Sequence, residues 1–373
     1  MSHAPGTFDT LSTSSDLSTD ALSDSAPFDS ALSGHEEVAV TGGAGFVGRR
    51  LVAALSLLGK KVTVVDHAAL GEDVASLPGV RHVRADLRDY GETLLALQGA
   101  DVVFHLAGNA SGTVSVENPR YDFHLNALAT CNVGNAALEL GVRRLVYLSS
   151  AIVYGTPQHS PIREDHPTGP FLPYGASKLS GELTLRSLQR TTGLPVVVGR
   201  SFVIYGPGED PRRAGGEVSQ FLRWQLNERP IPVVGDIDRK SRDFIHVDDL
   251  CRALITLADR GAEGEIYNLG TGSDVSMREL ADTVAEATGR PAILEADISS
   301  LEDSFALVAD VSRLTALHFK PQITLLAGLT ALAAELGRFP ELPSAKAVFR
   351  REPPARRRLS GGPGGMEGRA AAC

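Results

Sequence analysis

Tyr174 and Lys178 stand four residues apart in Tyr174-Gly175-Ala176-Ser177-Lys178, and on a helix that spacing stacks an ammonium beside a phenol. A free phenol, with a pKa of about 10, accepts protons poorly at neutral pH, but a fixed positive charge stabilises the phenolate and pulls that value down. The pair reads as a base made from a tyrosine. Of the seven tyrosines, only Tyr174 has a lysine at i+4. A second polar group is expected close by: Ser149 and Ser150 end the apolar run Leu145 to Leu148, and the Ser150 hydroxyl can both donate and accept during a proton transfer. The same residues would also suit an amphipathic helix and a strand-ending turn, so their meaning depends on the elements that position them.

Those elements begin at Glu37 to Thr41, an apolar strand that runs into Gly42-Gly43-Ala44-Gly45-Phe46-Val47-Gly48 and then an apolar-periodic helix to about Leu58. Glycines at a strand-to-helix turn let the backbone approach a pyrophosphate, and the helix N-terminus offers N–H groups and partial positive charge. A second strand, Lys61 to Val65, ends on Asp66, where a carboxylate can accept both hydroxyls of an adenosine ribose. Because His67, Ala68 and Ala69 bring no Arg or Lys for a 2′-phosphate, the expected cofactor is NAD rather than NADP. Strands from Val80 to Ala85 and from Asp101 to Leu106 lead to Asp86-Leu87 and Ala107-Gly108. A long helix from about Arg120 to Leu140 carries Asn126.

Alternating strands and helices predict an α/β fold, a Rossmann-type doubly wound parallel sheet, with a smaller mixed C-terminal substrate region. The strand Val196 to Gly199 closes the regular rhythm, and Tyr205-Gly206-Pro207-Gly208 opens the mixed part. There, helices are expected around Val218 to Asn227, Met277 to Thr288 and Leu325 to Leu336, strands at Ile231 to Val234 and Ile266 to Leu269, and Asp248 as the N-cap of a helix to about Ala258. The division expected is a disordered arm at 1–34, an NAD-binding domain at 35–200, a mainly substrate-binding region at 201–338 sharing the cleft, and a disordered tail at 339–373.

Composition sets outer bounds. A chain of 373 residues, 43% hydrophobic and 22% charged, can bury a sizeable core and reads as a globular protein. A formal net charge of −9 argues against a general nucleic-acid or acidic-membrane binder. No apolar run suggests a secretory signal or a membrane span. Cys131, Cys251 and Cys373 lack metal or redox spacing, which favours reduced thiols and the cytoplasm, and the ten histidines show no paired ligand spacing, so no metal is expected.

Taken together, Thr41 to Gly48, Asp66, Asp86-Leu87, His105 to Gly108, Ser149 to Gly155, Tyr174 to Lys178, Tyr205-Gly206-Pro207 and Arg242 to Asp249 resemble the extended short-chain dehydrogenase/reductase family, in its nucleotide-sugar epimerase and dehydratase branch. The resemblance runs from about Val38 to Leu336 and implies Tyr174 as the base, Lys178 as the group that lowers its pKa and holds the nicotinamide ribose, and Ser150 as the third member of the relay. It implies cofactor contacts from Gly42, Gly45, Phe46, Val47, Gly48, Asp66, Asp86, Leu87, Leu106, Ala107, Gly108, Asn126 and Ser149, beside Tyr174 and Lys178. On the substrate side it implies Ser150, Tyr174, Arg242 and Asp303, a nucleotide-sugar substrate, and a homodimer built on the helices Arg120 to Leu140 and Tyr174 to Arg190.

Dehydratases of this branch carry an Asp-Glu pair after the serine, whereas this chain has Ala151 and Ile152. The expected activity is therefore NAD-dependent epimerisation through a transient keto-sugar. A dehydrogenase or ketoreductase, an atypical dehydratase or decarboxylase, and a non-enzymatic NAD-binding scaffold are the alternatives. Two further departures bear on the substrate: Val203 stands where many relatives have Asn, and Ser299 to Asp303 keeps only the Asp of a Pro-Arg-x-Gly-Asp segment.

Overall fold

The computed structural model describes residues 32–211, 216–297 and 304–342. Most of the arm and tail, Arg212, Arg213, Ser300, Asp303 and Cys373 lie outside the described residues. Six strands come first: β1 Glu37–Thr41, β2 Lys61–Asp66, β3 Val80–Arg84, β4 Val102–His105, β5 Arg144–Ser150 and β6 Val196–Ser201. Then follow β7 Val203–Tyr205, β8 Ile231–Val234, β9 Ser241–Arg242, β10 Phe244–His246, β11 Ile266–Leu269, β12 Val275–Ser276, β13 Leu294–Asp297 and β14 Ala306–Leu307. Seven of them form one parallel sheet in the order β11-β6-β5-β4-β1-β2-β3.

Strand residues alternate between two apolar layers, as the two-residue period of a strand requires. Val38 and Val40 pack with the helix Phe46–Leu57 and the helix Val247–Arg260, whereas Ala39 between them faces the layer containing Ala129–Glu139 and Pro173–Thr192. Burial on both faces explains why β4 and β6 are buried along their whole length and open on the apolar runs Val102-Val103-Phe104 and Val196-Val197-Val198. The strand order reverses between β1 and β4, and the crevice beyond the carboxyl ends of strands at such a reversal is where α/β sheets take ligands. Thr41, Asp66, His105 and Ser150 end their strands on that side.

The helix bearing Tyr174 begins and stops for local reasons. Pro173 occupies its first turn, where the missing N–H costs nothing, and Gly193 ends it in a left-handed conformation, φ 78°. A third apolar cluster, including Phe221, Leu222, Ile231, Phe244, Leu280 and Leu329, holds the smaller mixed region together.

Two expectations are corrected here. The strand Ile266–Leu269, expected in the smaller region, is instead the edge of the main sheet, paired in parallel with β6, so the sheet draws on chain from beyond residue 200. Asp248 is not the N-cap of its helix: His246 is, its Nδ1 accepting from the Asp248 N–H at 3.2 Å. The Asp248 carboxylate instead receives both Arg50 Nε and Nη2 at 2.7 Å, a buried bidentate pair that ties the helix Phe46–Leu57 to Val247–Arg260.

Candidate active site

The glycine turn is built by close approach. Gly42 has φ 72°, a conformation costly for residues with a Cβ, and an added Cβ would lie 2.7 Å from the Ala107 nitrogen. Gly45 caps the helix Phe46–Leu57 with no side-chain hydrogen bond, and Phe46, Val47 and Gly48 form its first turn. Asp66 braces this turn from β2: its Oδ2 accepts from the Ala44 N–H and its Oδ1 from the Ala68 N–H, each at 3.0 Å. A cleft opens here, lined among others by Gly42, Asp66, Asp86, Leu87, Ala107 and Gly108.

Arg88 also lines this cleft, a residue that the sequence does not single out. Its guanidinium grips Asp86 with Nε 2.9 Å from Oδ1 and Nη2 2.5 Å from Oδ2, and the pairing holds the Asp86 carboxyl below the usual carboxylate range. Paired in this way, Arg88 is not a free receptor for a 2′-phosphate. On the inner side, the buried Asn126 belongs to a π-helical turn, His124–Leu128, and its Oδ1 has no hydrogen-bond partner. That oxygen lies against Gly108, where an added Cβ would strike it. An uncapped helix N-terminus, a carboxylate at the end of β2 and an orphaned buried oxygen beside Gly108 suit a dinucleotide with a pyrophosphate, a ribose and a polar ring.

Ser150 and Tyr174 meet where β5 ends and the helix Pro173–Thr192 begins. Ser150 caps the 3₁₀ turn Ala151–Tyr154, and its hydroxyl hydrogen-bonds the Tyr174 side chain. Lys178 is buried; its Nζ donates to the Leu148 carbonyl at 3.0 Å and stands 5.1 Å from the centre of the Tyr147 ring. Burial depresses its pKa to about 8, against the charges of Asp122 and Glu182, which favour the ammonium.

The expected depression of Tyr174 by Lys178 is absent in the protein alone. Burial raises the phenol, the Ser150 hydrogen bond offsets part of the rise, and the Asp122 charge adds to it. The physical reason is desolvation of the phenolate together with a lysine whose amine is directed at a backbone carbonyl.

Other expected site residues fall in different places. Ser149 is turned to the interior, donating to Glu182 Oε1 at 2.5 Å within a buried Glu182–Arg200 ion pair, so its hydroxyl supports the strand end and not the cleft. Leu106 packs against the core beneath the cleft. Arg242 is buried near the smaller region, its Nη1 donating to the Phe305 carbonyl at 2.8 Å and its guanidinium 5.0 Å over the Phe305 ring. Asp303 lies outside the described residues. Ala151, next to Ser150, is buried, and Ile152 is half-buried.

Sequence reasoning misses Asp122, fully buried four residues before Asn126. Two polar residues at i and i+4 on the inner face of a helix are the available signal. Among the described residues no group of three or more His, Cys, Asp or Glu side chains could hold a metal ion, and no helix is long and apolar enough to cross a membrane.

Comparison with known proteins agrees with this geometry. The model of the NAD dependent epimerase/dehydratase family matches residues 38–270. A UDP-glucose 4-epimerase from Mycolicibacterium smegmatis is 35% identical over 298 residues, covering 78% of this chain and 95% of its own. A dTDP-glucose 4,6-dehydratase from an Actinoplanes species is 34% identical over 272 residues, covering 69% and 83%. Among solved structures, the epimerase Mth375 from Methanothermobacter thermautotrophicus superposes with a TM-score of 0.76 at 30% identity, covering 86% of this chain and 96% of that one. With a doubly wound sheet, a glycine turn braced by Asp66 and a Ser150–Tyr174–Lys178 cluster at its switch point, the chain belongs to the NAD-dependent epimerase/dehydratase family and NAD is its cofactor.

Proposed function

We propose that the chain is an NAD-dependent epimerase of a nucleotide-activated sugar. The observation that carries this reading is the meeting of Ser150 and Tyr174 with Lys178 one helical turn on, beside Ala151 and Ile152, which hold no titratable group. Elimination of water from a sugar needs a further acid and base next to the reacting carbons, and the two positions after Ser150 supply neither.

Tyr174 takes the proton of the reacting hydroxyl, and the Ser150 hydroxyl, hydrogen-bonded to the phenol, orients that hydroxyl and steadies the charge that moves. Lys178, charged and buried, favours the phenolate form once its amine is drawn from the Leu148 carbonyl toward the bound ribose. NAD, held at the Gly42 turn and Asp66, would supply a hydride acceptor for the carbinol carbon and a donor to the opposite face of the ketone once the keto-sugar has turned over. Tyr174 then gives its proton back to the new hydroxyl, so the cycle is redox-neutral and the sugar leaves as its epimer. Arg242 is the residue of the smaller region that we assign to the sugar nucleotide, with residues 201–338, apart from β11, as the mainly substrate-binding wall.

Tyr174→Phe is expected to lower turnover on a panel of UDP- and dTDP-hexoses by at least about 100-fold, because a positioned general base contributes that much, while NAD content stays unchanged. Unaltered turnover would remove Tyr174 as the base. Quantifying NAD and NADH released on denaturation, with none added, tests redox neutrality: near-stoichiometric NAD supports an epimerase, and an empty protein supports a dehydrogenase that exchanges its cofactor. Exposed Phe123, Leu128 and Leu183 on the helices Pro119–Phe123 to Ala129–Glu139 and Pro173–Thr192 support a homodimer across that face, which sedimentation of a monomer at working concentration would refute. Unpaired Cys131 and Cys251 support a reducing, cytoplasmic setting.

A further inference from the structure

Behind the proposed base lies a carboxylate to which no role has been given. Asp122, on the helix Pro119–Phe123, is 0% exposed, and three neutral donors converge on it. Asn109 Nδ2 donates to Oδ1 at 2.6 Å, Asn126 Nδ2 to Oδ1 at 3.0 Å, and Ser177 Oγ to Oδ2 at 2.6 Å. Ser177 sits between Tyr174 and Lys178 in sequence, and its Oγ is also 2.9 Å from the Tyr174 carbonyl and accepts from Asn126 Nδ2 at 3.0 Å. One buried carboxylate thus ties three segments together: the loop at Asn109, the π-helical turn at Asn126, and the helix turn that bears the base. Donors that carry no charge leave its negative charge uncancelled by contact, and in a water-poor interior the field reaches its neighbours.

We propose that Asp122 is a positioning residue for the Tyr174–Lys178 pair: its carboxylate clamps the Ser177 turn in place and is the counter-charge against which the pair is balanced. The proposal deepens the reading of Tyr174 as the base and rests on it. The charged and titratable groups facing the pair are Asp122 itself, Glu182 from their own helix, Tyr147 and Ser150 from β5, and His105 from β4. Of these, Asp122 acts on both members: it raises the phenol and favours the ammonium. A base kept protonated at rest and a lysine kept charged are the two ends of one arrangement, with the same carboxylate behind both.

The test is the ionisation of Tyr174 in NAD-loaded protein, read as the tyrosinate absorbance difference between each protein and its Tyr174→Phe counterpart during an alkaline titration. In Asp122→Asn, which keeps the shape and removes the charge, the Tyr174 midpoint is expected to fall by about one pH unit. In Asn109→Ala, which keeps the charge and removes one donor, the midpoint is expected to rise by a few tenths of a unit. Opposite signs from two variants of the same cluster are the mark of a charge, since simple loosening would move both midpoints the same way. An unchanged or higher midpoint in Asp122→Asn overturns the proposal. Should that variant fail to fold, Asn109→Ala still tests the proposal, an unchanged or lower midpoint overturning it. No sugar is added, so the outcome does not depend on whether the chain proves to be an epimerase.

Discussion

Replacing Lys178 with methionine is expected to stabilise the protein at neutral pH and to remove part of its pH dependence. Lys178 is 5% exposed, and burial depresses its pKa from 10.5 to about 8 despite the opposing charges of Asp122 and Glu182. A base whose folded pKa lies below its unfolded value binds more protons when unfolded, so stability rises with pH between about 8 and 10.5. At pH 7, below both values, the buried charge therefore costs about 3 kcal/mol, each tenfold change in acidity being worth about 1.4 kcal/mol. Methionine keeps the apolar stem but loses the hydrogen bond from Nζ to the Leu148 carbonyl, worth about 1 kcal/mol. The net expectation is a variant more stable than the parent by about 2 kcal/mol at pH 7. Urea unfolding of both proteins at pH 7 and pH 10, without added NAD, measures the gap. At the higher pH the gap should close to within about 0.5 kcal/mol of zero, because the parent sheds about 2.5 kcal/mol of its penalty between pH 7 and pH 10. A gap that stays constant or widens would refute the reasoning, because it would mean that Lys178 is no less basic when folded. If the expected result is found, the lysine is retained for its chemistry at the expense of stability.

Gly42→Ala, with φ 72° and a methyl 2.7 Å from the Ala107 nitrogen, is expected to cost about 2 kcal/mol and to lower retained NAD, as thermal melts and cofactor content would report. Arg200→Met leaves Glu182 buried without its cation and should cost about 3–5 kcal/mol in denaturant unfolding, an effect absent if the pair were solvent-screened. Burial holds His105 near a pKa of about 3, below its unfolded value of 6.5, so its contribution to stability is present above pH 6.5 and is lost as the pH falls toward 3. The slope of unfolding free energy against pH between 6 and 4 should accordingly lose about one proton in His105→Asn, and an unchanged slope would contradict that burial.

Much of this site could be read from local pattern. The glycine turn and Asp66 are marked by short-range spacing. The bounds of the helices Met277–Thr288 and Leu325–Leu336 follow from apolar period and caps: Ser276 with Glu279 forms a capping box, and Thr324 accepts from the Ala327 N–H. What escapes the sequence depends on partners far along the chain. Asp122 gains its meaning only when Asn109, Asn126 and Ser177 converge on it, and Ser149 turns away from the cleft because its partner Glu182 lies 33 positions on. Asp248 has the composition of an N-cap, but a buried arginine 198 positions away outcompetes the local role. The direction of the Tyr174 pKa is likewise hidden, because i+4 spacing conveys proximity and says nothing of where the amine points or how dry the site is.

The edge strand β11 carries a consequence for biogenesis. Until Ile266–Leu269 has emerged during synthesis, β6 waits with one flank unpaired, and its sequence Val196-Val197-Val198-Gly199-Arg200-Ser201 is the kind of apolar edge that recruits other strands. The helix Val247–Arg260, which covers one face of the sheet, arrives just before the strand that closes it. The nascent chain therefore passes through a stage in which the nucleotide-binding layer is nearly assembled yet adhesive, and anything that truncates it before Leu269 would leave a strand seeking a partner in another molecule.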